Sequence, residues 1–349
     1  MIIYPKTQEQ LLAAFGEARA GGKAILPIGL GHDMGGAGKG EGVTVMSARE
    51  LGGVGPVEPG NLLAVAGAGT TLGELDVALA GRGLYWPVTG PHGRTLGGVM
   101  GQGLLGAETM AKGHMVNWVL GTTMLAPSGE IVRSGGRTLK NVSGYDLTRL
   151  AWRARGSLGM SVSFTLKLLP RPRVCPVMEF KVKSLRVGAS HMETIVRDRL
   201  GLPALRLIGD KKGLRVVAWM AGFAELVTAQ EERLKALMKD PVDLFEDGFE
   251  YFNHYDSVFN EPDGSTGVYA GTRKGLLETV RNLSWIGDYS FVCDLGGGRL
   301  ALTPPNGPTQ DLCRETGLVG VSGGAFRATG PLFRRVKAAI DPKSAFLTA

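Results

Sequence analysis

Apolar positions recur at three- and four-residue intervals near the start of the chain. Leu11, Leu12, Phe15 and Ala18 share one face behind Thr7-Gln8-Glu9-Gln10, which has the form of a capping box, and Gly21-Gly22 ends the run. This predicts a helix. Short apolar runs at 24–28 and 43–46 predict strands on either side of a glycine-rich loop, 29–42, and a third strand is expected at 61–66. Thr71-Leu72-Gly73-Glu74 opens a second capped helix that stops near Gly81-Arg82-Gly83. Residues 87–106 read as a long irregular segment, and runs at 118–125 and 131–133 flank Pro127-Ser128-Gly129-Glu130 as a hairpin. Residues 158–169 alternate, with Met160, Val162, Phe164, Leu166 and Leu168 on one face, and end at Pro170-Arg171-Pro172. The order helix, strand, loop, strand, strand, helix predicts an α+β domain rather than regular strand–helix alternation.

Past that proline pair the pattern changes. Strands are expected at 177–182, 205–208 and 214–220, helices at 187–200, Ala224–Met238 and near 276–282, and a hairpin from 290–295 to 299–302 across Gly296-Gly297-Gly298. This is the signature of a ferredoxin-like α/β sandwich. A last helix is expected at Pro331–Ile340. The division that follows is 1–172, then 173–305 as a cap, then 306–349 as a return to the first domain.

Composition narrows the class. Hydrophobic residues make up 44% and charged residues 20%, which excludes a disordered chain. No apolar stretch approaches the roughly 18 residues of a membrane span. Met1-Ile2-Ile3-Tyr4-Pro5-Lys6 lacks the basic region and apolar core of a secretory signal. Cys175, Cys293 and Cys313 are odd in number and widely spaced, so neither a disulfide framework nor a metal site is expected, and a reducing cytoplasm suits them. Glycine stands out at 54 of 349 residues, about twice the usual share of roughly 7%, and 34 of the 54 fall within residues 1–159. Because glycine is costly in ordered elements unless the backbone turns left-handed or approaches something closely, the first half reads as strands joined by loops around a ligand. The formal charge is +7, from 39 basic and 32 acidic residues. The basic residues are scattered without aromatic interleaving, which speaks against nucleic acid and for an anionic cofactor, anionic substrate or acidic partner.

Five glycine-bearing segments carry the candidate chemistry. Gly29-Leu30-Gly31-His32-Asp33-Met34-Gly35 follows a strand, and successive backbone N–H groups in such a turn form an anion-binding concavity. It is neither a dinucleotide fingerprint, since Met34 replaces the third glycine, nor a P-loop, since Gly40 follows Gly38-Lys39. Gly101-Gln102-Gly103-Leu104-Leu105-Gly106 matches G-x-G-x-x-G literally but follows a loop instead of a strand, against a Rossmann unit. Pro91-His92-Gly93-Arg94-Thr95-Leu96-Gly97-Gly98 pairs a rigid turn with glycines that admit a flat ligand. Lys140-Asn141-Val142-Ser143-Gly144-Tyr145-Asp146 and Gly156-Ser157-Leu158-Gly159-Met160-Ser161-Val162 complete the set. Arg334, Arg335 and Lys337 in the last helix suit either anion steering or the helix dipole.

In this order the five segments resemble the FAD-binding domain of the vanillyl-alcohol-oxidase / p-cresol-methylhydroxylase (PCMH-type) flavoproteins, and within them the FAD-binding E subunits of bacterial glycolate oxidases. The resemblance covers most of 1–172 and recurs at the C-terminal helix. It implies an FAD cofactor. The 29–35 loop would cradle the diphosphate. Thr95, Leu96, Gly97, Gly98, Gly101, Gly103 and Leu104, with Pro91, would line the ribityl and isoalloxazine region. Gly144, Tyr145, Gly156, Leu158, Gly159, Met160 and Val162 would meet flavin and adenine edges. His32 stands where some members carry a histidine bonded to the flavin and nearer relatives carry Ser or Thr, so the resemblance implies either covalent attachment at His32 or a loop histidine near the diphosphate. Phe333–Lys337 and Asp341-Pro342 would return the tail to this domain. The implied function is an electron-relaying, FAD-binding oxidoreductase subunit of a glycolate- or lactate-type 2-hydroxy-acid dehydrogenase, beside a catalytic flavoprotein and an iron–sulfur subunit. It would be cytoplasmic, with at most peripheral membrane association. The alternatives are a stand-alone 2-hydroxy-acid oxidase and a scaffold with a vestigial flavin site. Two departures are visible: the tail Phe346-Leu347-Thr348-Ala349 lacks the family's Asn-Pro-Gly, and Gly287-Asp288 is followed by Tyr289-Ser290 rather than continuing a histidine-bearing metal segment.

Overall fold

The computed structural model describes residues 2–32, 40–136, 148–260, 266–283, 290–303, 312–313, 315–320 and 331–347. The periodicity of the first twenty residues becomes helix α1 (Gln8–Ala20), whose Leu11, Ala14, Phe15 and Ala18 are buried. The Gln10 N–H donates to Thr7 Oγ1 at 3.3 Å, while Gln10 Oε1 accepts from the Lys6 N–H, so only half of the expected box forms. Strands β1 (Ile2–Ile3), β2 (Ala24–Ile28) and β3 (Val43–Ser47) form a small parallel sheet in the order β1-β3-β2.

A second, antiparallel sheet runs β4-β5-β9-β7-β8 from β4 (Val54–Glu58), β5 (Leu63–Gly67), β7 (Val119–Leu125), β8 (Ile131–Gly135) and β9 (Met160–Lys167). The alternation noted along 158–169 becomes β9, which buries Met160, Phe164 and Leu166. Between the strands lie α2 (Leu72–Ala80), β6 (Leu84–Tyr85), α3 (Leu96–Gln102), α4 (Thr109–Lys112) and α5 (Thr148–Ala151); β10 (Leu169–Pro170) pairs with β6. Thr71 and Glu74 close a full capping box on α2. The expectation of an irregular 87–106 is corrected by α3. Its three glycines hide the helical pattern, and Thr95 caps it by accepting from the Gly98 N–H.

The remaining strands make one eight-stranded antiparallel sheet, β14-β11-β13-β12-β16-β17-β15-β18. It begins with β11 (Val177–Lys181), α6 (Leu185–Asp198), β12 (Ala204–Asp210), β13 (Gly213–Trp219), α7 (Ala224–Met238) and β14 (Val242–Phe245). Numbered within this βαββαβ unit, the strands lie 4-1-3-2, the ferredoxin-like arrangement expected from the sequence. After α8 (Gly248–Asn260) a second unit repeats it: β15 (Gly267–Ala270), α9 (Arg273–Asn282), β16 (Ser290–Asp294), β17 (Arg299–Thr303) and β18 (Val319–Gly320) lie 2-3-1-4. The two units join edge to edge where β12 pairs with β16. The duplication leaves no repeat in the sequence.

Helices α6, α7 and α9 cover one face of this sheet. The other face carries Val177, Ile208, Val217 and Trp219, and is covered by α8 and by Ala107 from the first domain. Phe252 of α8 stacks on Trp219 at 5.1 Å, and a Cβ at Gly248 would stand 2.0 Å from Trp219 Nε1. The same face buries charge. Arg206 pairs with Asp256 of α8 and lies 3.5 Å from Asp294, while Arg299 Nη2 donates to the Leu105 carbonyl at 2.7 Å. Asp256 Oδ2 accepts from Thr89 Oγ1 at 2.7 Å, tying α8 to the first domain. Among the described residues no helix is long and apolar enough to cross a membrane.

Glu108 sits in this seam, 1% exposed. Its Oε1 accepts from the Tyr85 hydroxyl at 2.9 Å, and Oε2 has no hydrogen-bond partner. Burial pushes its pKa up to about 7, against the lowering pull of Tyr85 and Lys112. A carboxyl raised in the folded state favours the neutral form, so its contribution to stability is complete at acid pH and lost as pH rises through about 7. Ionising it costs about 3 kcal/mol. Denaturant unfolding of Glu108→Gln is expected to show a flatter decline in stability between pH 5 and pH 8, roughly spanning the ordinary and raised values, than the parent protein; parallel curves for the two would contradict this assignment.

Candidate functional site: a glycine-walled cleft

The main chain leaves β2 at Ile28 and turns through Gly29–Gly31, with Gly31 at φ +83°. The Ser47 hydroxyl at the end of β3 donates to the Gly29 carbonyl at 2.6 Å and fixes the turn. A Cβ on Gly29 would lie 2.1 Å from Thr95 Oγ1, so only glycine lets this loop rest on the residue that caps α3. The segment leading into α3 is in turn stitched to the strand-to-helix turn before α2: the Leu96 N–H donates to the Thr70 carbonyl and the Gly97 N–H to the Ala68 carbonyl, both at 2.8 Å.

A third loop closes the ring. The Arg153 and Arg155 N–H groups donate to the Met100 and Gly101 carbonyls at 3.1 and 2.9 Å, hanging the 153–156 turn from the end of α3. Arg153 and Arg155 hold left-handed φ values of 61° and 48°, a strain that for non-glycine residues gathers at functional sites. Gly156, at φ +75°, brings the chain back against β2; a Cβ there would lie 2.9 Å from the Pro27 ring. The contacts thus run from Pro27 and Gly29 to Thr95, from Gly101 to Arg155, and from Gly156 back to Pro27.

Inside this ring is a cleft that opens to solvent and, counted with its open mouth, spans about 1090 Å3. Its charged lining residues are Arg94 and Arg155, joined by His32, with no carboxylate among the described lining residues. Arg94 is 4% exposed and donates to Gln102 Oε1 at 3.3 Å. Arginine planes and close-approach backbone suit a diphosphate, and the apolar floor of Leu26, Met124, Ala151 and Met160 suits a planar ring system. The residues present therefore fit a flavin dinucleotide. Among the described residues no group of three or more His, Cys, Asp or Glu side chains is placed to hold a metal ion.

The cleft gathers Gly29, Leu30, Gly31 and His32 from the first segment, Thr95, Gly97, Gly98 and Gly101 around α3, and Gly156, Leu158, Gly159 and Met160 from the last. Five of the residues anticipated there stand elsewhere. Leu96 and Leu104 are buried in the hydrophobic core, and Gly103 is the left-handed cap that ends α3. Val162 packs on that core from β9, and Pro91 lies outside the lining. Asp33, Met34, Gly35, Gly144 and Tyr145 lie outside the described residues. His92 faces α8, its Nε2 2.7 Å from Asn253 Nδ2. His114 meets the Trp152 ring edge-on and is held below the ordinary histidine range by burial, with Arg153 and Arg299 adding to the effect. Met124, Leu150, Ala151, Ala154 and Arg155 line the cleft without a sequence signal that marks them, because tertiary packing alone brings β7, α5 and the following turn to it.

Residues 1–135 match the family described as FAD binding domain. The chain is similar to glycolate oxidase subunit GlcE of Escherichia coli, 38% identical over 119 residues that cover 33% of this chain and 34% of that one. It is also similar to D-lactate dehydrogenase of Archaeoglobus fulgidus, 28% identical over 62% of this chain and 47% of that one. The matched stretches span about a third to a half of those relatives. Among solved structures, xylooligosaccharide oxidase from Myceliophthora thermophila C1 shares the fold with a TM-score of 0.76 at 16% identity, over 99% of this chain and 90% of that one.

Replacing Gly29 or Gly156 by alanine is expected to part the loops and lower the flavin absorbance per mole of purified protein severalfold, while circular dichroism retains the secondary structure; full flavin content in both variants would refute the ring of contacts. Residues 1–135, which bring Gly29, Thr95 and Gly101 to the cleft, carry the FAD-binding domain, and FAD is the cofactor.

Proposed function

We propose that this chain is the FAD-binding, electron-relaying subunit of a glycolate- or lactate-type 2-hydroxy-acid dehydrogenase, working beside a catalytic flavoprotein and an iron–sulfur subunit. The observation that carries the reading is the cleft itself: three glycine turns and two arginines, with no described carboxylate, around one solvent-open space. The similarity to a glycolate oxidase subunit and to a D-lactate dehydrogenase supports a 2-hydroxy acid as the substrate class. We read residues 1–172 as the FAD-binding domain, 173–305 as the cap and 306–349 as the return to the first domain.

In this reading FAD supplies the redox chemistry and the protein supplies position and field. The 29–31 backbone, with Arg94 and Arg155, would hold the diphosphate, and the 156–160 backbone and Met124 would hold the ring system. The buried Thr89–Asp256 and Arg299–Leu105 contacts would keep the cap closed on the first domain, with Arg206 holding Asp256 in place. Cys175, Cys293 and Cys313 have no cluster-binding spacing, so an iron–sulfur centre would belong to a partner.

The test is anaerobic mixing of glycolate and D-lactate with the purified chain, alone and co-purified with a catalytic flavoprotein and an iron–sulfur subunit. The expected result is a yellow chain with one FAD that neither acid bleaches alone and that is reduced only in the presence of the partners. Bleaching of the isolated chain would make it a stand-alone dehydrogenase, and a colourless chain would make it a scaffold.

A further inference from the structure

The C-terminal helix Pro331–Ile340 carries a lysine whose contacts reach the cofactor cleft from behind. Lys337 Nζ donates to three oxygens: the Ser157 carbonyl at 2.5 Å, Asp341 Oδ2 at 2.5 Å and the Phe346 carbonyl at 2.7 Å. Ser157 lies between Gly156 and Leu158, which line the cleft, and is itself 1% exposed. The Lys337 side chain is 13% exposed and that of Asp341 1%.

Asp341 organises the rest of the tail. Its Oδ1 accepts from the Ala345 N–H at 2.6 Å and its Oδ2 from the Phe346 N–H at 2.9 Å. That arrangement lays residues 345–347 along β2: the Ile25 N–H donates to the Ala345 carbonyl at 2.8 Å and the Leu347 N–H to the Ile25 carbonyl at 2.7 Å. The Phe346 side chain enters the core of the first domain beside Phe15, with ring centroids 5.8 Å apart. Arg19 of α1 adds a bond to the Lys343 carbonyl. One ammonium group therefore ties the loop on one side of the cleft to a strand laid against β2, which feeds the glycine turn on the other side.

We propose that Lys337 is a positioning residue for FAD: through Ser157 and the Asp341-anchored tail it holds the two glycine loops at the spacing the cofactor needs. No described lining residue of the cleft lies beyond Ser161, so Lys337 acts through the loop. The inference rests on the chain's use of FAD. Removing one partner of a buried charge pair leaves the other uncompensated, and part of that cost falls on the loop that Lys337 holds.

Because coupling between sites is reciprocal, FAD binding must stabilise the tail as much as the tail favours FAD. Hydrogen exchange on the unmodified full chain, with and without FAD, is expected to show slower exchange in the 341–347 backbone as well as in 154–162. Protection of 154–162 with an unchanged tail would overturn the proposal. In fluorescence titration of the apoprotein, Lys337→Met is expected to weaken FAD binding on the order of tenfold, with Lys337→Arg recovering most of the loss. Leu234→Ala, a cavity in α7 of comparable cost to stability, is expected to leave FAD affinity unchanged. Unaltered affinity in Lys337→Met, or an equal loss in Leu234→Ala, would reduce Lys337 to a general stabiliser. A parent chain that takes up no FAD would sink the functional reading and this one together, whereas normal uptake with an indifferent Lys337→Met sinks this one alone.

Discussion

Main-chain contact without intervening side chains is the constraint on which the first domain depends. Where β5 ends, a Cβ on Gly67 would fall 1.9 Å from the Leu51 carbonyl and one on Gly69 would fall 2.0 Å from the Ala48 carbonyl, so the parallel and antiparallel sheets meet backbone to backbone. The same economy of atoms brings Gly29 onto Thr95 and Gly156 onto Pro27. Protein interiors are close-packed, and an added methyl group at such a point has nowhere to go unless a strand or loop moves. The cleft is thus the space that remains when three turns are pressed together at their narrowest residues.

The second domain reaches its seam by the opposite means. There the sheet face that meets α8 and the 104–110 segment carries Arg206, Asp294 and Arg299, held by Asp256 and by the Leu105 carbonyl. Buried ion pairs contribute little net stability but are intolerant of misplacement, since each charge that loses its partner is stranded in a poorly polarisable medium. A seam built this way fixes one docking orientation. The G-x-G-x-x-G segment serves both features: Gly101 lines the cleft, while the Leu105 carbonyl accepts from Arg299.

Local chemistry made much of this legible. The Thr71–Glu74 box, the alternation in β9 and the Pro331–Ile340 amphipathic pattern each specify an element without help from the rest of the chain. Helix α3 was hidden because Gly97, Gly98 and Gly101 are poor helix formers, chosen for proximity to other backbone rather than for propensity. Helix α8 escaped because Phe, Tyr, Asn and His dominate it, and its stability comes from seating on Trp219. The site shows the same divide. Its glycine turns announce themselves in sequence, whereas Met124 and Arg155 enter the cleft through strand pairing and a left-handed turn that no nearby pattern encodes.

The pairing of Ile25 with Phe346 joins segments far apart in sequence, positions 25 and 346. During synthesis β2 emerges well before this partner, which follows only after every strand of the eight-stranded sheet has been made. The bridge behind the first glycine turn therefore cannot form until residue 346 has been made, and closing so long a loop is slow.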